Sequence, residues 1–273
     1  MINYFAGGAD LLVYDIIKNH LIAWIDRSQV KLRQQHFTKD SNVMFDSGAF
    51  TAFTIGKKID INEYAEFIKN YILIWEKKIK SLNFINLDVI GDSEKSWENQ
   101  HKLEKLNVNT IPVIHHGGFK KKYLDKALKE YNYFAFGGLV GKNRKKQILP
   151  FLDYCFRLIF THVKKGNKLP KVHLLGVADP KVLYRYPAFS CDSTAYMSVN
   201  RFGISRFLKL TTLPKGGLKR NKIPYKFKNK YKYDREKDRR ILRRVMIYEI
   251  KQYHKLERAI TAFWKKKGVV FNE

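Results

Sequence analysis

Short apolar runs punctuate the chain: INYFA (2–6), VMF (43–45), FINLDVI (84–90), TIPVI (110–114), YFAFGGL (133–139), VHLLGV (172–177) and AFSC (188–191). Most are separated by longer stretches whose apolar residues recur at helical spacing. In NEYAEFIKNYILIWEKKIKSL (62–82), Asn62 is placed to cap a helix, and Tyr64, Phe67, Ile68, Tyr71 and Ile72 fall on one face. YLDKALKEY (123–131) reads the same way. Strand–helix alternation of this kind predicts a mostly parallel α/β sheet. Seven strands are visible and FLKLTT (207–212) is a weaker eighth, a count that favours a closed (β/α)₈ TIM-like barrel over an open sheet. A barrel gathers functional residues at the carboxyl ends of its strands. Those ends carry Asp46, Asp88, His115, Gly137 with Gly138, Gly176 and Asp192.

The pattern changes near residue 213, where the chain runs LPKGGLKRNKIPYKFKNKYKYDREKDRRILRR. Tyr225, Phe227, Tyr231 and Tyr233 alternate with Lys226, Lys228, Lys230 and Lys232. Such a strip can stack bases while neutralising phosphates. It equally suits an exposed strand with one aromatic side packed on the body. Residues 235–265 read as a helix, with Ile241, Val245, Tyr248 and Tyr253 available for packing. The expected organisation is a barrel over 1–212 followed by a basic, aromatic-rich arm and C-terminal helix over 213–273.

Composition sharpens this picture. Hydrophobic residues make up 45% of the chain, enough for a folded protein rather than a disordered tail. The formal net charge of +28 points to a polyanionic partner, because clustered Lys and Arg gain affinity by releasing counterions from phosphates. No apolar run approaches a membrane span, so no membrane partner is expected. The opening MINYFAGGADLL lacks the basic start and cleavage site of a signal peptide. Cys155 and Cys191 are the only cysteines and are read as reduced thiols, which predicts a cytoplasmic protein, in the host cytoplasm if phage-encoded. Heavy use of Lys, Asn and Ile fits an AT-rich, viral kind of genome. No CxxC or HExxH pattern occurs, so neither a metal nor another cofactor is expected.

Three carboxylates are candidates for chemistry. Asp46 in FDSGAF and Asp192 in CDSTAY each stand where an apolar run meets small residues, although Asp before Ser also suits an Asx-turn. Asp88 in INLDVIGD interrupts an apolar run, which is costly unless the carboxylate is paired or used. FGGLVG (136–141) does not match the GxxxxGK[ST] phosphate loop. Its paired glycines suit close approach of backbone to a planar ligand, or simply a tight turn. His115 is read as a rim residue or a core histidine, and His116 as the latter.

Taken in order, FDSGAF, the LD of INLDVIGD, FGGLVG, HLLGV and CDSTAY resemble the tRNA-guanine transglycosylase superfamily over roughly residues 43–205. RFG (201–203) is similar to the basic stretch after that family's nucleophile. The resemblance implies a barrel enzyme, a pentosyltransferase, that exchanges guanine for a 7-deazaguanine such as preQ0 at an intact backbone. Asp192 would be the nucleophile on the sugar C1′ and Asp46 the acid/base at the purine. Asp88 would read the guanine edge. Ser47, His115, Gly137, Gly138, Leu139 and Gly176 would shape the base pocket, and Arg201, Tyr225, Lys226, Phe227, Lys228, Lys230 and Lys232 would hold nucleic acid. The tRNA enzymes carry a cysteine-rich zinc subdomain that this shorter chain lacks. The expectation is therefore a relative closest to the phage and bacterial enzymes that modify DNA, with free 7-deazaguanine as second substrate. The same exchange on tRNA, and a catalytically silent nucleic-acid-binding relative, are the competing readings.

Overall fold

The computed structural model describes residues 1–8, 11–140, 144–198 and 235–271. Eight strands run parallel: β1 (Ile2–Ala6), β2 (Asn19–Ala23), β3 (Asn42–Asp46), β4 (Ser81–Phe84), β5 (Val113–His115), β6 (Tyr133–Gly137), β7 (Lys171–Leu174) and β8 (Ser190–Ser193). Their order in the sheet is β4-β3-β2-β1-β8-β7-β6-β5. The two edge strands meet across a seam. Ile85 and Ile111 form a parallel bridge there, with Ile111 N donating to Phe84 O (2.7 Å) and Asn86 N donating to Ile111 O (3.0 Å). The result is a TIM-barrel-like α/β fold whose curled sheet alternates with helices.

Strands this short depend on what covers their outer face. The helices are α1 (Arg27–Arg33), α2 (Ala49–Thr54), α3 (Ile61–Trp75), α4 (Ser93–Lys105), α5 (Lys121–Glu130), α6 (Arg144–Lys164), α7 (Pro180–Leu183) and α8 (Arg235–Lys266). Helix α3 buries Tyr64, Ala65, Ile68 and Tyr71. These pack with Val43, Phe45 and Phe84 in one outer cluster. The larger outer cluster joins Phe5, Phe134, Phe136, Leu174 and Cys191 to helices α5 and α6. Helix α8 adds Met246, Ile250, Tyr253 and Ile260 to that same cluster, and Trp264 Nε1 donates to Leu183 O at 2.8 Å. Inside the sheet a separate cluster holds Tyr4, Ala6, Leu21, Met44, Ile85, Ile111, Val113 and Ala135. Inner and outer sets alternate along each strand, as the pleat requires. Among the described residues, no helix is long and apolar enough to cross a membrane.

Several expected boundaries shift. The strand Asn19–Ala23 carries polar Asn19 and His20 at its start, which hides it from an apolar-run reading. Both are buried, and each has a partner from elsewhere in the chain. Asn19 Oδ1 accepts from Asn42 Nδ2 at 2.8 Å. His20 Nδ1 lies 3.2 Å from Arg33 Nη2, a donor, so this nitrogen accepts. Burial, and then the Arg33 charge, hold the His20 pKa well below its usual value. Arg33 also donates to the carbonyls of Phe5 (2.7 Å) and Leu21 (2.8 Å), fastening α1 to the sheet. FLKLTT (207–212) lies outside the described residues. Helix α3 is capped by Asp60 rather than Asn62; the Asp60 carboxylate accepts from Asn62 N (2.7 Å) and Glu63 N (3.2 Å). That helix stops at Trp75, and Lys78 N turns back to Trp75 O at 2.9 Å.

Candidate active site

The strand ends bring the three carboxylates into one neighbourhood. On β3, Val43 and Phe45 belong to the outer cluster and Met44 to the inner one, so alternation turns Asp46 inward. On β8, Cys191 packs outward, which turns Ser190 and Asp192 inward. Asp192 is paired in register with Tyr4 of β1. Asp88 does not interrupt a strand as expected: β4 ends at Phe84, and Asp88 follows three residues after the Ile85 bridge. It is nonetheless buried.

Asp46 is strongly perturbed by its surroundings. Removal from water weighs most, and repulsion from Asp88 and then Asp192 adds to it, pushing the Asp46 pKa up to about 7. The amides of Ser47 and Gly48 donate to the carboxylate and oppose the rise. Tyr64, fully buried behind this corner, donates its hydroxyl to Ile85 O at 2.6 Å. Its own pKa is driven well up, first by burial and then by Asp46 and Asp88. Asp46, half-buried, therefore sits among negative neighbours, the setting that makes a carboxyl useful as a proton donor near neutrality.

The other two carboxylates are each held by a histidine. Asp88 Oδ2 lies 2.5 Å from His115 Nε2 with both side chains buried. A carboxylate oxygen accepts, so Nε2 carries the proton. Oδ1 of Asp88 takes no hydrogen bond from the described residues. Asp192 Oδ1 accepts from Gly176 N at 2.7 Å and from His173 Nε2 at 3.2 Å. His173 Nδ1 in turn lies 2.6 Å from Ser190 Oγ, and Ser190 Oγ lies 2.6 Å from the Tyr133 hydroxyl. The chain closes when Tyr133 donates to Ser190 and Ser190 to His173, leaving Nε2–H for the carboxylate. Oδ1 is thus taken twice, while Oδ2 has no donor among the described residues.

The glycines at this end have local causes. A Cβ on Gly137 would come within 2.8 Å of Val113 Cγ1 and 3.0 Å of His115 Nε2. Gly138 has a φ of +70°, and its Cβ would sit 3.3 Å from His115 Nδ1. The pair makes room for the neighbouring strand and for the histidine that holds Asp88. Gly176 has a φ of +72° and presents its N–H to Asp192. Replacing His115 by Ala would strand a buried carboxylate. The expected cost is about 3–5 kcal/mol in denaturant unfolding at neutral pH, partly recovered by adding Asp88→Asn. An unfolding midpoint that does not move would show that the pair holds nothing together.

The remaining residues singled out in the sequence have these surroundings. The Leu139 side chain is fully buried in the larger outer cluster, away from the inward carboxylates. Ser47 is also buried, its Oγ accepting from Ala49 N at 3.3 Å. His116 packs its ring edge-on to Phe151 at 5.0 Å. Arg201, Tyr225, Lys226, Phe227, Lys228, Lys230 and Lys232 lie outside the described residues. Among the described residues, no group of three or more His, Cys, Asp and Glu side chains is gathered as a metal site.

The sequence reading passed over His173 and Phe50. His173 had a signal: a lone imidazole in an otherwise apolar strand, on the face shared with Asp192. Phe50, four residues past Asp46, is 63% exposed at the same end of the sheet and offers a free aromatic face. No known protein family matches the chain, and no curated protein matches it either.

Proposed function

We propose that this protein is a DNA base-exchange enzyme that replaces guanine with a 7-deazaguanine such as preQ0. The observation that carries the reading is the convergence of Asp46, Asp88 and Asp192, with the pKa of Asp46 pushed up to about 7. In the first half-reaction, Asp192 Oδ2 attacks C1′ of the deoxyribose. The C1′–N9 bond breaks as the C1′–O bond forms, and its electron pair leaves with the purine. Asp46, protonated, donates its proton so that guanine departs neutral. In the second half, Asp46 as carboxylate takes the proton from N9–H of the incoming 7-deazaguanine. N9 then displaces Asp192 from C1′ and restores both side chains. A group poised near the working pH serves as acid and base in turn, and a carboxylate nucleophile splits one hard step into two.

The remaining residues divide the supporting work. His173 and the Gly176 amide fix one oxygen of Asp192 and leave the other for the sugar. Asp88, held through Oδ2 by His115, keeps Oδ1 for an N–H of the guanine edge. Phe50 is placed to stack on a base drawn out of the helix. Extrusion from a duplex costs about a few kcal/mol, which contacts along the basic segment would offset. The order of sequence motifs supports the reading from a separate direction, and the net charge of +28 suits a polynucleotide substrate.

The test is incubation of purified protein with DNA and a labelled 7-deazaguanine, with tRNA in parallel. Label entering DNA with guanine released is the expected result. Label entering tRNA alone would transfer the chemistry to that substrate, and label entering neither would favour a silent binding protein. Removal of residues 213–233 is expected to weaken DNA binding in a salt-titrated gel shift while the melting transition persists. Unchanged affinity would take the basic segment out of the account.

A further inference from the structure

A cavity of about 710 Å³ opens at the opposite, amino-terminal end of the sheet. Its floor is the buried amide pair Asn19 and Asn42, held rigid by their mutual 2.8 Å bond and by Ser81 Oγ donating to Asn42 Oδ1 at 2.8 Å. Its walls come from two sources. Lys18 and Lys80 immediately precede β2 and β4, and so are delivered to the rim by the strands themselves. Lys251, Lys255 and Arg258 lie on α8 at spacings of four and three residues, one stripe of the helix. The stripe is fixed in place because the buried residues of α8 anchor it to the core.

Five cations line this cavity against two carboxylates, Asp40 and Glu257. Both carboxylates are already engaged. Asp40 pairs with Lys18 at 3.3 Å, and Glu257 accepts from Asn19 Nδ2 at 3.3 Å beside His254 at 3.7 Å. Among the described residues, none forms an ion pair with Lys80, Lys251, Lys255 or Arg258. Cations sharing a concave wall repel one another, and the low-dielectric body beneath them focuses their field into the hollow. A bound anion removes that repulsion. The volume falls in the range of small-ligand pockets, about 300–1,000 Å³.

We propose that this cavity is a second binding site, for a compact anion carrying two or three phosphate groups. It is separate from the proposed active site: Asn42 and Asp46 mark the two ends of β3, about 13 Å apart at the usual rise per strand residue. A single small ligand does not reach both. The site stands whether or not base exchange does.

The experiment is calorimetric titration of the full-length protein with inorganic tripolyphosphate at physiological salt. Wild type is expected to bind one equivalent saturably. Lys251→Ala with Lys255→Ala should weaken binding by about tenfold or more, and Lys80→Ala, on a different element, should weaken it as well. Lys164→Ala with Lys165→Ala, which removes the same charge from the exposed end of α6, should leave it unchanged. Equal losses in both double variants would reduce the effect to net charge and overturn the proposal, as would the absence of saturable binding. Displacement of tripolyphosphate by a single-stranded oligonucleotide, with oligonucleotide binding lost in the α8 double variant, would make this a polynucleotide surface and overturn it too.

Discussion

Asp192→Asn is expected to abolish base exchange, with a fall of about 10⁴-fold or more, the scale seen when a nucleophile is removed. Asn preserves the size of the side chain, and its carbonyl oxygen can still accept from the Gly176 amide and His173 Nε2, which now bond Asp192 Oδ1. The fold should therefore survive, and the melting transition should stay near that of wild type. What is lost is the nucleophile, because a neutral amide does not capture C1′. DNA binding should persist, since the contacts proposed for the backbone do not involve Asp192. Retention of exchange activity above a hundredth of wild type would remove Asp192 from the role given to it.

Asp46→Asn should lower the exchange rate by about 10²–10⁴-fold, the usual worth of a general acid–base group. Its second signature is in stability, and there the sign is opposite. The unfolded carboxyl ionises near the ordinary 3.8, whereas the folded one ionises at about 7. Between those values the folded protein keeps a proton that the unfolded chain releases, so stability falls as pH rises through the window. Below it the group costs nothing; above it the full penalty applies, about 4 kcal/mol at most for a shift of this size. Asn cannot ionise and escapes the penalty. The variant should thus melt several degrees higher than wild type at pH 8 and match it near pH 4. A variant with no gain at pH 8 would mean that Asp46 is not crowded by charge and burial in solution. Wild-type activity in the first half-reaction should decline above pH 7, as the acid form is lost.

The sequence carried much of this. Strand ends rich in Asp, His and Gly marked one end of a barrel-like sheet, and Asp46, Asp88 and Asp192 meet there. What it hid is physical in origin. The strand of Asn19 and His20 was passed over because their partners, Asn42 and Arg33, are distant in the chain; burial becomes affordable only once the sheet forms. Asp88 read as strand because Val89 and Ile90 continue the apolar run, yet pairing with β5 ends at the Ile85–Ile111 bridge. The glycine pair at 137–138 was read as room for a planar ligand or as a tight turn; what the spacing could not show is that a Cβ there would also meet Val113 and His115, remote in the chain. His173 went unassigned because its partners Ser190 and Asp192 become neighbours only through the β7–β8 register. The α3 cap, by contrast, was misread as Asn62 although Asp60 stands one turn before the buried face begins.

The most direct measurement is mass-spectrometric mapping of the covalent adduct, trapped from wild-type protein with guanine-containing DNA and no incoming base. The account predicts one oligonucleotide joined through C1′ to the peptide containing Asp192, and a greater yield below pH 7, where Asp46 holds its proton. An adduct on any other residue, or brisk exchange with no adduct at all, would contradict it.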